Sequence, residues 1–208
     1  MFNKLAIIGL GSIGERHLKI AKKIKPDLNI STISKQNKHE KNVLINQNFD
    51  SIENAISFGI EAAIISNPAP FHVSCAIKLL NAGIHVLIEK PLSNNSLYME
   101  ELLTAENQSK AIALIGYCFR HDRNGIFFKK MIKNQKVGQI LSVSINCSSY
   151  LPEWRKNKDY KNSVSALTAL GGGVLLELSH EIDYAYWLFK DIRSIYCISS
   201  NSGTLDIE

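Results

Sequence analysis

The sequence predicts an α/β protein with a doubly wound parallel sheet over residues 1–118 and a partial α+β domain over residues 119–208. Two observations lead to this prediction. Short β-rich runs alternate with helical patterns through the first half of the chain, which is typical of parallel strands joined by helices. The alternation ends near Gly116, where longer and less regular patterns begin. We therefore expect two domains of different construction.

The β-rich runs of the first half are short, apolar and bounded by polar or glycine-containing segments. We predict strands at Leu5–Ile8, Ile30–Ile33, Ala62–Ile65, His85–Ile88 and Ala111–Ile115. Apolar residues at helical spacing predict one helix from Ile13 to Ile24 and another from Val73 to Asn81, where Ala82-Gly83 ends it. Ligands of such sheets bind beyond the carboxyl ends of the strands, so the residues that follow each run are the candidates for a site.

The patterns in the second half of the sequence predict fewer helices and strands. We expect a helix over about 124–132, a strand near Ile140–Ile145, and a helix that starts after a glycine run at 171–173 and continues to about Phe189. Strand-like residues follow at Ser194–Ser199 and in the final segment 204–208. These few strands leave a sheet with an unpartnered edge, so we expect this second, substrate-binding and dimerisation domain to be incomplete.

Composition excludes several classes of protein. The 208 residues are 45% hydrophobic and 21% charged, as in ordinary globular domains, and 24 Lys and Arg against 19 Asp and Glu give a net charge of +5. The sequence has no basic block interleaved with aromatic residues, so we do not expect nucleic-acid binding. It also has no window of about 18 predominantly apolar residues, so we do not expect a membrane span. The four cysteines are widely spaced, so we expect buried thiols, no metal site and a cytoplasmic location.

The first predicted strand runs directly into a glycine-rich turn that opens the first predicted helix, Gly9-Leu10-Gly11-Ser12-Ile13-Gly14. This context is the one in which such a motif binds a dinucleotide. Gly9 allows the tight turn, Gly11 lets the backbone approach a diphosphate, and Gly14 lets helix and strand pack closely. The N–H groups at the helix start, with Ser12 and Ile13, would receive the phosphate oxygens. The alternative is a chance glycine-rich turn, and we favour a dinucleotide-binding Rossmann domain.

The identity of the dinucleotide depends on the residues after the second strand. NAD-binding domains place an acidic residue there on the ribose hydroxyls, about 20 residues beyond the glycines. Here the position holds Ser34 and Lys35, and no acid occurs between Leu28 and His39. Lys35 and Lys38 could face a 2′-phosphate, which favours NADP(H) over NAD(H). The alternative that these lysines are ordinary solvated charges is nearly as good.

Two further segments stand at the carboxyl ends of predicted strands, Asn67-Pro68 and Glu89-Lys90-Pro91. Pro91 biases Lys90 away from helical conformation and holds its amine at the strand end, where a nicotinamide ring would lie. An ammonium there can stabilise a developing alkoxide or pass a proton. Taken alone, a lysine after a strand is more often a surface charge.

These segments, with others, resemble the glucose-fructose oxidoreductase and inositol dehydrogenase (Gfo/Idh/MocA) family. The matching pieces are the glycine turn with Arg16-His17, Asn67-Pro68 with His72, Ala82 to Val86 leading to Glu89-Lys90-Pro91, Arg120, and the glycines 171–173 leading to His180-x-x-Asp183. The resemblance implies a Rossmann domain, a second domain with a large sheet, and NAD(P)-dependent hydride transfer at a sugar or cyclitol carbon.

Residue roles follow from the same resemblance. It implies catalytic roles for Lys90 and His180, with Asp183 beside them, and adds Asn67, Pro68, His72 and Glu89 to the cofactor-binding residues. The family usually has an aspartate four residues before the histidine, where this chain has Leu176 and then Glu177. On one continuous helix Glu177 and His180 share a face, so we expect Glu177 to orient His180. The family also continues past residue 208, so we expect a shortened second domain.

The substrate is expected to meet a polar, aromatic stretch before the glycine run. This stretch resembles oxidoreductases of bacterial sialic-acid-like and other surface sugars, in which aromatic rings stack on sugar faces. The candidate substrate-binding residues are Tyr150, Trp154, Arg155, Tyr160, Arg120 and His180. Either arginine could hold a carboxylate or phosphate through a bidentate contact. Packing of the loop by its own aromatics is an equal alternative.

We therefore expect an NAD(P)-dependent oxidoreductase acting on a sugar or nucleotide-sugar carbon. The alternatives are a cofactor-binding sensor without turnover, or an inactive remnant of such an enzyme. Small molecules are the expected partners, rather than nucleic acid or membrane. A homo-oligomer is expected to be weakened if the second domain is short.

Overall fold

The computed structural model describes residues 2–34, 42–154, 159–201, 203–205 and 207. The chain divides into two compact units, residues 1–116 and 117–208. The first unit contains a six-stranded sheet in the order β3-β2-β1-β4-β5-β6, and every neighbouring pair is parallel. The prediction of a doubly wound α/β domain is therefore confirmed.

The strands of this sheet are short, as expected for a small Rossmann unit. They are β1 Lys4–Ile8, β2 Asn29–Ile33, β3 Gln47–Phe49, β4 Ala62–Ile65, β5 His85–Ile88 and β6 Ala113–Ile115. Each predicted run is a strand, and β3 is an addition whose polar sequence gave no signal. The order of the strands reverses between β1 and β4, and ligands bind at such a switch point in open parallel sheets.

Helices cover both faces of the sheet. They are α1 Ser12–Ile24, α2 Ile52–Ser57, α3 His72–Asn81 and α4 Met99–Gln108. Alternate residues of β1 point to opposite faces, so Leu5 and Ile7 pack with Leu18 of α1, whereas Ala6 and Ile8 pack in the cluster that contains α3. These buried apolar contacts hold the carboxyl ends of the strands in one row.

The second unit consists of helices and irregular segments. Its helices are α5 Arg123–Lys133, α6 Val174–Glu177 and α7 Ser179–Phe189, with short 3-10 turns at Cys118–His121, Leu151–Trp154, Tyr160–Asn162 and Thr168–Leu170. Asp122 caps α5, because its carboxylate accepts hydrogen bonds from the N–H groups of Asn124 and Gly125 at 2.9 and 3.0 Å.

Two predicted strands of the second unit are wrong. The described structure has no strand at Ile140–Ile145 or Ser194–Ser199. A strand is defined by its hydrogen-bonded neighbour, and the part of unit 2 that the structure describes provides none for either segment. Their apolar side chains are exposed, with Leu141 at 87% and Ile195 at 83%.

The predicted helix from residue 174 to Phe189 is also corrected, because it is broken at Leu178. That residue has φ −99° and ψ 26°, so α6 ends before it and α7 begins after it. Leucine favours helices, and the sequence therefore gave no sign of the interruption.

The cysteines are free thiols, and only Cys75 is even half-buried, since Cys118, Cys147 and Cys197 are exposed. The expectation of four buried thiols is wrong for those three. No helix in the described ranges is long and apolar enough to cross a membrane. Within those ranges there is also no group of three or more His, Cys, Asp or Glu residues that could hold a metal ion.

Candidate active site

The glycine turn between β1 and α1 is shaped by its first and last glycines. Gly9 has φ +90°, and a Cβ added to it would lie 2.6 Å from the backbone N of Asn67. A Cβ at Gly14 would collide with the carbonyl oxygen of Gly9. Ser66 closes the turn from the neighbouring strand, because its hydroxyl donates to the Gly9 carbonyl at 2.7 Å. The fold itself therefore requires glycine at positions 9 and 14.

Gly11 differs from the other two glycines. Its φ of −73° is open to any residue, and a Cβ there would meet nothing within 4 Å. Gly11 is the N-cap of α1 but supplies no side-chain cap, so the helix begins with backbone N–H groups and the positive end of its dipole. Ser12 and Ile13 form the first turn of α1. The open space and the amide-rich helix start fit a diphosphate that approaches the backbone.

Asn67 follows β4 and lies against Gly9. Its side-chain N–H donates to the Cys75 sulfur at 3.6 Å, whereas its buried Oδ1 accepts no hydrogen bond from any residue that the structure describes. Burial also raises the pKa of the Cys75 thiol, so the sulfur stays neutral. A buried acceptor without a donor costs about 1–3 kcal/mol. The Asn67 oxygen is therefore suited to a donor on a bound molecule. Pro68 then starts the turn into α3.

Glu89, directly after β5, is joined to α1. Its Oε1 lies 2.6 Å from Nε2 of His17, and its Oε2 accepts the backbone N–H of Lys90 at 3.2 Å. Burial alone would raise the pKa of Glu89, but the hydrogen bond and charge of His17, with smaller contributions from Lys90, lower the pKa below its usual value. Glu89 is thus held as a carboxylate between the helix that starts at the glycine turn and the backbone of Lys90.

Lys90 is half-buried at the end of β5, and the Lys90–Pro91 peptide bond is cis. The predicted placement at a strand end is therefore found. His72, the first residue of α3, lies between this loop and the loop after β4, with Nδ1 2.9 Å from the Pro91 carbonyl and Nε2 2.6 Å from the Asn67 carbonyl. Because both ring nitrogens are engaged in the protein interior, His72 presents neither to a ligand in this conformation.

Ser34 follows β2 at the edge where β1 and β4 also end. Lys35, which we predicted beside it, lies outside the described residues. Arg155 of the predicted substrate loop is likewise outside them.

In the second unit, His180 lies in an aromatic cluster. Its ring centroid is 5.0 Å from that of Phe119 and 5.7 Å from that of Tyr117, and the Tyr117 contact is edge-on. Tyr184, one turn later on α7, also contacts Phe119. The rings fix the imidazole by packing and leave it half-buried.

Arg120 and Asp183 form a forked ion pair. Arg120 Nε donates to one oxygen of Asp183 at 2.9 Å and Nη2 donates to the other at 2.6 Å. These hydrogen bonds raise the pKa of Arg120 further above its usual value. We predicted a bidentate contact of Arg120 with a substrate carboxylate or phosphate, whereas in the structure this guanidinium is engaged by Asp183 of the same unit. The pair fastens α7, and with it His180, to the turn at Cys118–His121.

Glu177 ends α6, whereas His180 belongs to α7. The argument that both share one helical face therefore fails, because it assumed an unbroken helix. An orienting role of Glu177 stays a prediction without that support.

The described residues of the loop before the glycine run line a cavity of about 390 Å³ that includes Trp154 and Tyr160. The indole N–H of Trp154 donates to Ser149 at 2.5 Å, while Tyr150 is exposed beside it. Asp159 caps the turn at Tyr160–Asn162. The loop thus brings Trp154 and Tyr160 to one concave surface, as an aromatic sugar-binding surface would require.

Sequence reasoning missed three contributors to this geometry. His17 belongs to a segment named above and Ser66 lies directly before another, but their contacts with Glu89 and Gly9 join residues far apart in the chain. Phe119 beside His180 gave no signal at all. Only position offered a clue, since Ser66 directly follows a strand and His17 follows the glycine turn on α1.

Comparison with known proteins gives matches for both units. Residues 3–117 match the model of the GFO/IDH/MocA oxidoreductase family with an NAD-binding Rossmann fold, and residues 127–206 match the GFO/IDH/MocA C-terminal domain. The inositol 2-dehydrogenase/D-chiro-inositol 3-dehydrogenase of Halalkalibacterium halodurans is 24% identical over 196 residues, which are 90% of this chain and 53% of that protein. The chain thus spans about half the length of the curated relatives it matches.

Solved structures agree on the fold. The scyllo-inositol dehydrogenase of Lactobacillus casei, with bound NAD(H) and scyllo-inositol, is 26% identical with a TM-score of 0.70 over 90% of this chain and 56% of that one. The WlbA dehydrogenase of Bordetella pertussis, in complex with NADH and UDP-GlcNAcA, has a TM-score of 0.76 over 89% of this chain and 55% of that one. At 20% identity, the second likeness concerns the fold alone.

Proposed function

Because the chain belongs to the GFO/IDH/MocA oxidoreductase family, we propose that it serves hydride transfer between a nicotinamide dinucleotide and a hydroxyl-bearing carbon of a sugar-like molecule. The observation that carries this proposal is Gly11. The fold does not need a glycine there, since its φ is ordinary and the space beside it is open. A ligand that must approach the backbone does need one.

The dinucleotide would be held by the chain's own backbone and polar groups. The N–H groups at the start of α1 bind the diphosphate, and the buried Asn67 Oδ1 accepts a hydrogen bond from the rest of the molecule. When bound, the nicotinamide ring supplies the hydride donor or acceptor. Pro68 and Glu89 contribute by shaping the loops around this position.

We further propose a preference for NADPH over NADH. Ser34 follows β2 without an acidic side chain to bind the ribose hydroxyls or to repel a 2′-phosphate. Lys35 would supply a positive charge for that phosphate. Separate titrations with NADPH and NADH test this preference, and tighter binding of NADH would contradict it.

Lys90 is the proposed catalytic group of the first unit. Its backbone N–H is fixed by the carboxylate of Glu89, and that carboxylate is fixed by His17. A lysine placed so at the end of β5 can donate to the substrate hydroxyl oxygen as negative charge develops on it.

His180 is the proposed proton acceptor of the second unit. Neutral imidazole can accept the proton of a substrate hydroxyl during oxidation and return it during reduction. Asp183 is engaged with Arg120, so we assign it to holding α7 in place. Trp154 and Tyr160, with Tyr150 beside them, would face the sugar ring, and a nucleotide sugar or sialic-acid-like sugar is the finer proposal for the substrate.

The experiment that tests this function compares Lys90→Ala with wild type on inositols, hexoses, nucleotide sugars and sialic-acid-like sugars. Turnover should fall by about 10²-fold or more, because the variant loses the group that stabilises the alkoxide, while the dinucleotide Kd stays within about twofold. Lys78→Ala is the matched control, since Lys78 pairs with Glu53 on the exposed face of α3. Unchanged turnover in Lys90→Ala would refute the assignment of Lys90. Dinucleotide binding without turnover in the wild type would favour the sensor.

A further inference from the structure

His72 connects the two loops that carry the proposed dinucleotide and catalytic residues. Its side chain is buried at 2% exposure, and its nitrogens lie 2.6 Å from the carbonyl of Asn67 and 2.9 Å from the carbonyl of Pro91. The first carbonyl belongs to the loop after β4 and the second to the loop after β5.

The two contacts of His72 are with atoms that can act only as hydrogen-bond acceptors. Backbone carbonyl oxygens only accept hydrogen bonds, so a ring nitrogen that carries a proton donates to the carbonyl that it faces. Hydrogen bonds in a buried site are stronger than in water, and leaving either carbonyl unpaired is costly. The ring therefore fixes the separation of the two loops rather than filling space alone.

A continuous set of contacts runs through His72. The Gly9 carbonyl accepts from the hydroxyl of Ser66, Asn67 follows Ser66, and the Asn67 carbonyl lies 2.6 Å from Nε2 of His72. On the other side of the ring, Nδ1 of His72 lies 2.9 Å from the carbonyl of Pro91, which directly follows Lys90. The glycine turn and the backbone of the loop that carries Lys90 are thus connected through the side chains of Ser66 and His72.

We propose that His72 is a positioning residue that sets the loop of Lys90 against the dinucleotide loop, with each ring nitrogen serving one of them. This inference rests on the proposed function for its consequence in binding. The contrasting possibility is that His72 is a core histidine whose loss affects stability and nothing else.

Two conservative variants separate the two nitrogens. The amide nitrogen of Asn is as many bonds from Cα as Nδ1 of His, and that of Gln is as many as Nε2. His72→Asn therefore keeps a donor for the Pro91 carbonyl, and His72→Gln keeps a donor for the Asn67 carbonyl. His72→Ala removes both donors but also leaves a cavity, so it is not the decisive variant.

Two readouts are measured on the full chain, namely the Kd of NADPH by fluorescence and the hydrogen exchange of the Lys90 amide by NMR. His72→Gln should speed exchange at Lys90 about tenfold and leave Kd within about threefold, because only the Lys90 loop is released. His72→Asn should raise Kd about tenfold and leave exchange at Lys90 near the wild-type rate. A purely structural histidine would not produce this opposite pattern.

The matched control is His85→Gln. His85 lies at the other end of β5, where its Nδ1 accepts the N–H of Ile112 at 2.9 Å, so neither readout should change. Equal effects of His72→Asn and His72→Gln on both readouts, or the reverse pattern, would overturn the inference. If the wild type binds no dinucleotide, the proposed function fails, whereas the exchange contrast at Lys90 still decides the role of His72.

Discussion

The two units hold their candidate residues by different means. In residues 1–116, the candidate residues follow strands that pair with neighbouring strands, namely the glycine turn, Asn67 and Lys90. The core of this unit is well packed, since Leu79 and Ile65 are completely buried. In residues 117–208, His180 is held by ring contacts and by the Arg120–Asp183 pair, and the described segments form no strand. Hydrogen bonds between paired strands position the candidate residues of the first unit, whereas side-chain contacts position those of the second unit.

This difference bears on how the proposed chemistry is built. A parallel sheet places the carboxyl ends of its strands in one row regardless of the loop sequences, so loop residues there are free to serve binding. Without such a sheet, each position depends on a few individual side chains. Substitutions should therefore affect the two units through different mechanisms and to different extents.

The largest expected contrast concerns leucine truncations. Leu79→Ala in α3 should lower the free energy of unfolding by about 2–5 kcal/mol, because Leu79 is 0% exposed in the core of the first unit. Leu141→Ala should change it by less than about 0.5 kcal/mol, since that side chain is 87% exposed. Urea unfolding followed by circular dichroism measures both values. Equal losses of unfolding free energy in the two variants would contradict the proposed difference between the units.

A smaller effect concerns the His17–Glu89 pair and pH. The pKa of Glu89 is lowered from 4.5 in the folded state, so the carboxylate stabilises the fold above that value. This contribution is lost as pH falls through the lowered pKa. Glu89→Gln should therefore be less stable than wild type at neutral pH and should lose less of its stability on acidification.

The control for this pH dependence is Glu53→Gln. Glu53 also has a lowered pKa, chiefly through the hydrogen bond from Lys78, but the side chains of that pair are exposed, at 61% and 55%. Solvent screening should leave the variant closer to wild type at every pH. A Glu53→Gln effect as large as that of Glu89→Gln would show that partial burial of the His17 pair adds nothing.

Much of the first unit could be predicted from sequence because its signals are local. The runs at Leu5–Ile8 and Ala62–Ile65 are apolar and end in two β-branched isoleucines, and each has a partner strand inside the same unit. β3 at Gln47–Phe49 was missed because a short polar edge strand has neither periodicity nor a hydrophobic signal. In the second unit, Ile140–Ile145 has the composition of a strand but no neighbour within the described residues, and composition alone cannot supply one.

The site follows the same division. The positions of Gly11 and Lys90 after strands could be predicted because strand ends can be predicted, and their residue types made them candidates for the site. The role of His72 could not be found in this way, because it depends on two backbone carbonyls that only the folded chain brings to its ring. The break at Leu178 gave no local signal in the sequence, and it separates Glu177 from the helix that carries His180.

The most direct test of the account is NADPH and NADH titration of Gly11→Asp and Gly11→Asn beside the wild type. Both substitutions suit a helix N-cap with φ −73° and meet no atom within 4 Å, so unfolding midpoints should be equal to or above that of wild type. The Kd of the dinucleotide should rise about tenfold in Gly11→Asn, because space beside the backbone is lost, and further in Gly11→Asp, because its carboxylate repels the diphosphate. Wild-type affinity in Gly11→Asp would contradict the claim that the backbone at Gly11 receives a diphosphate.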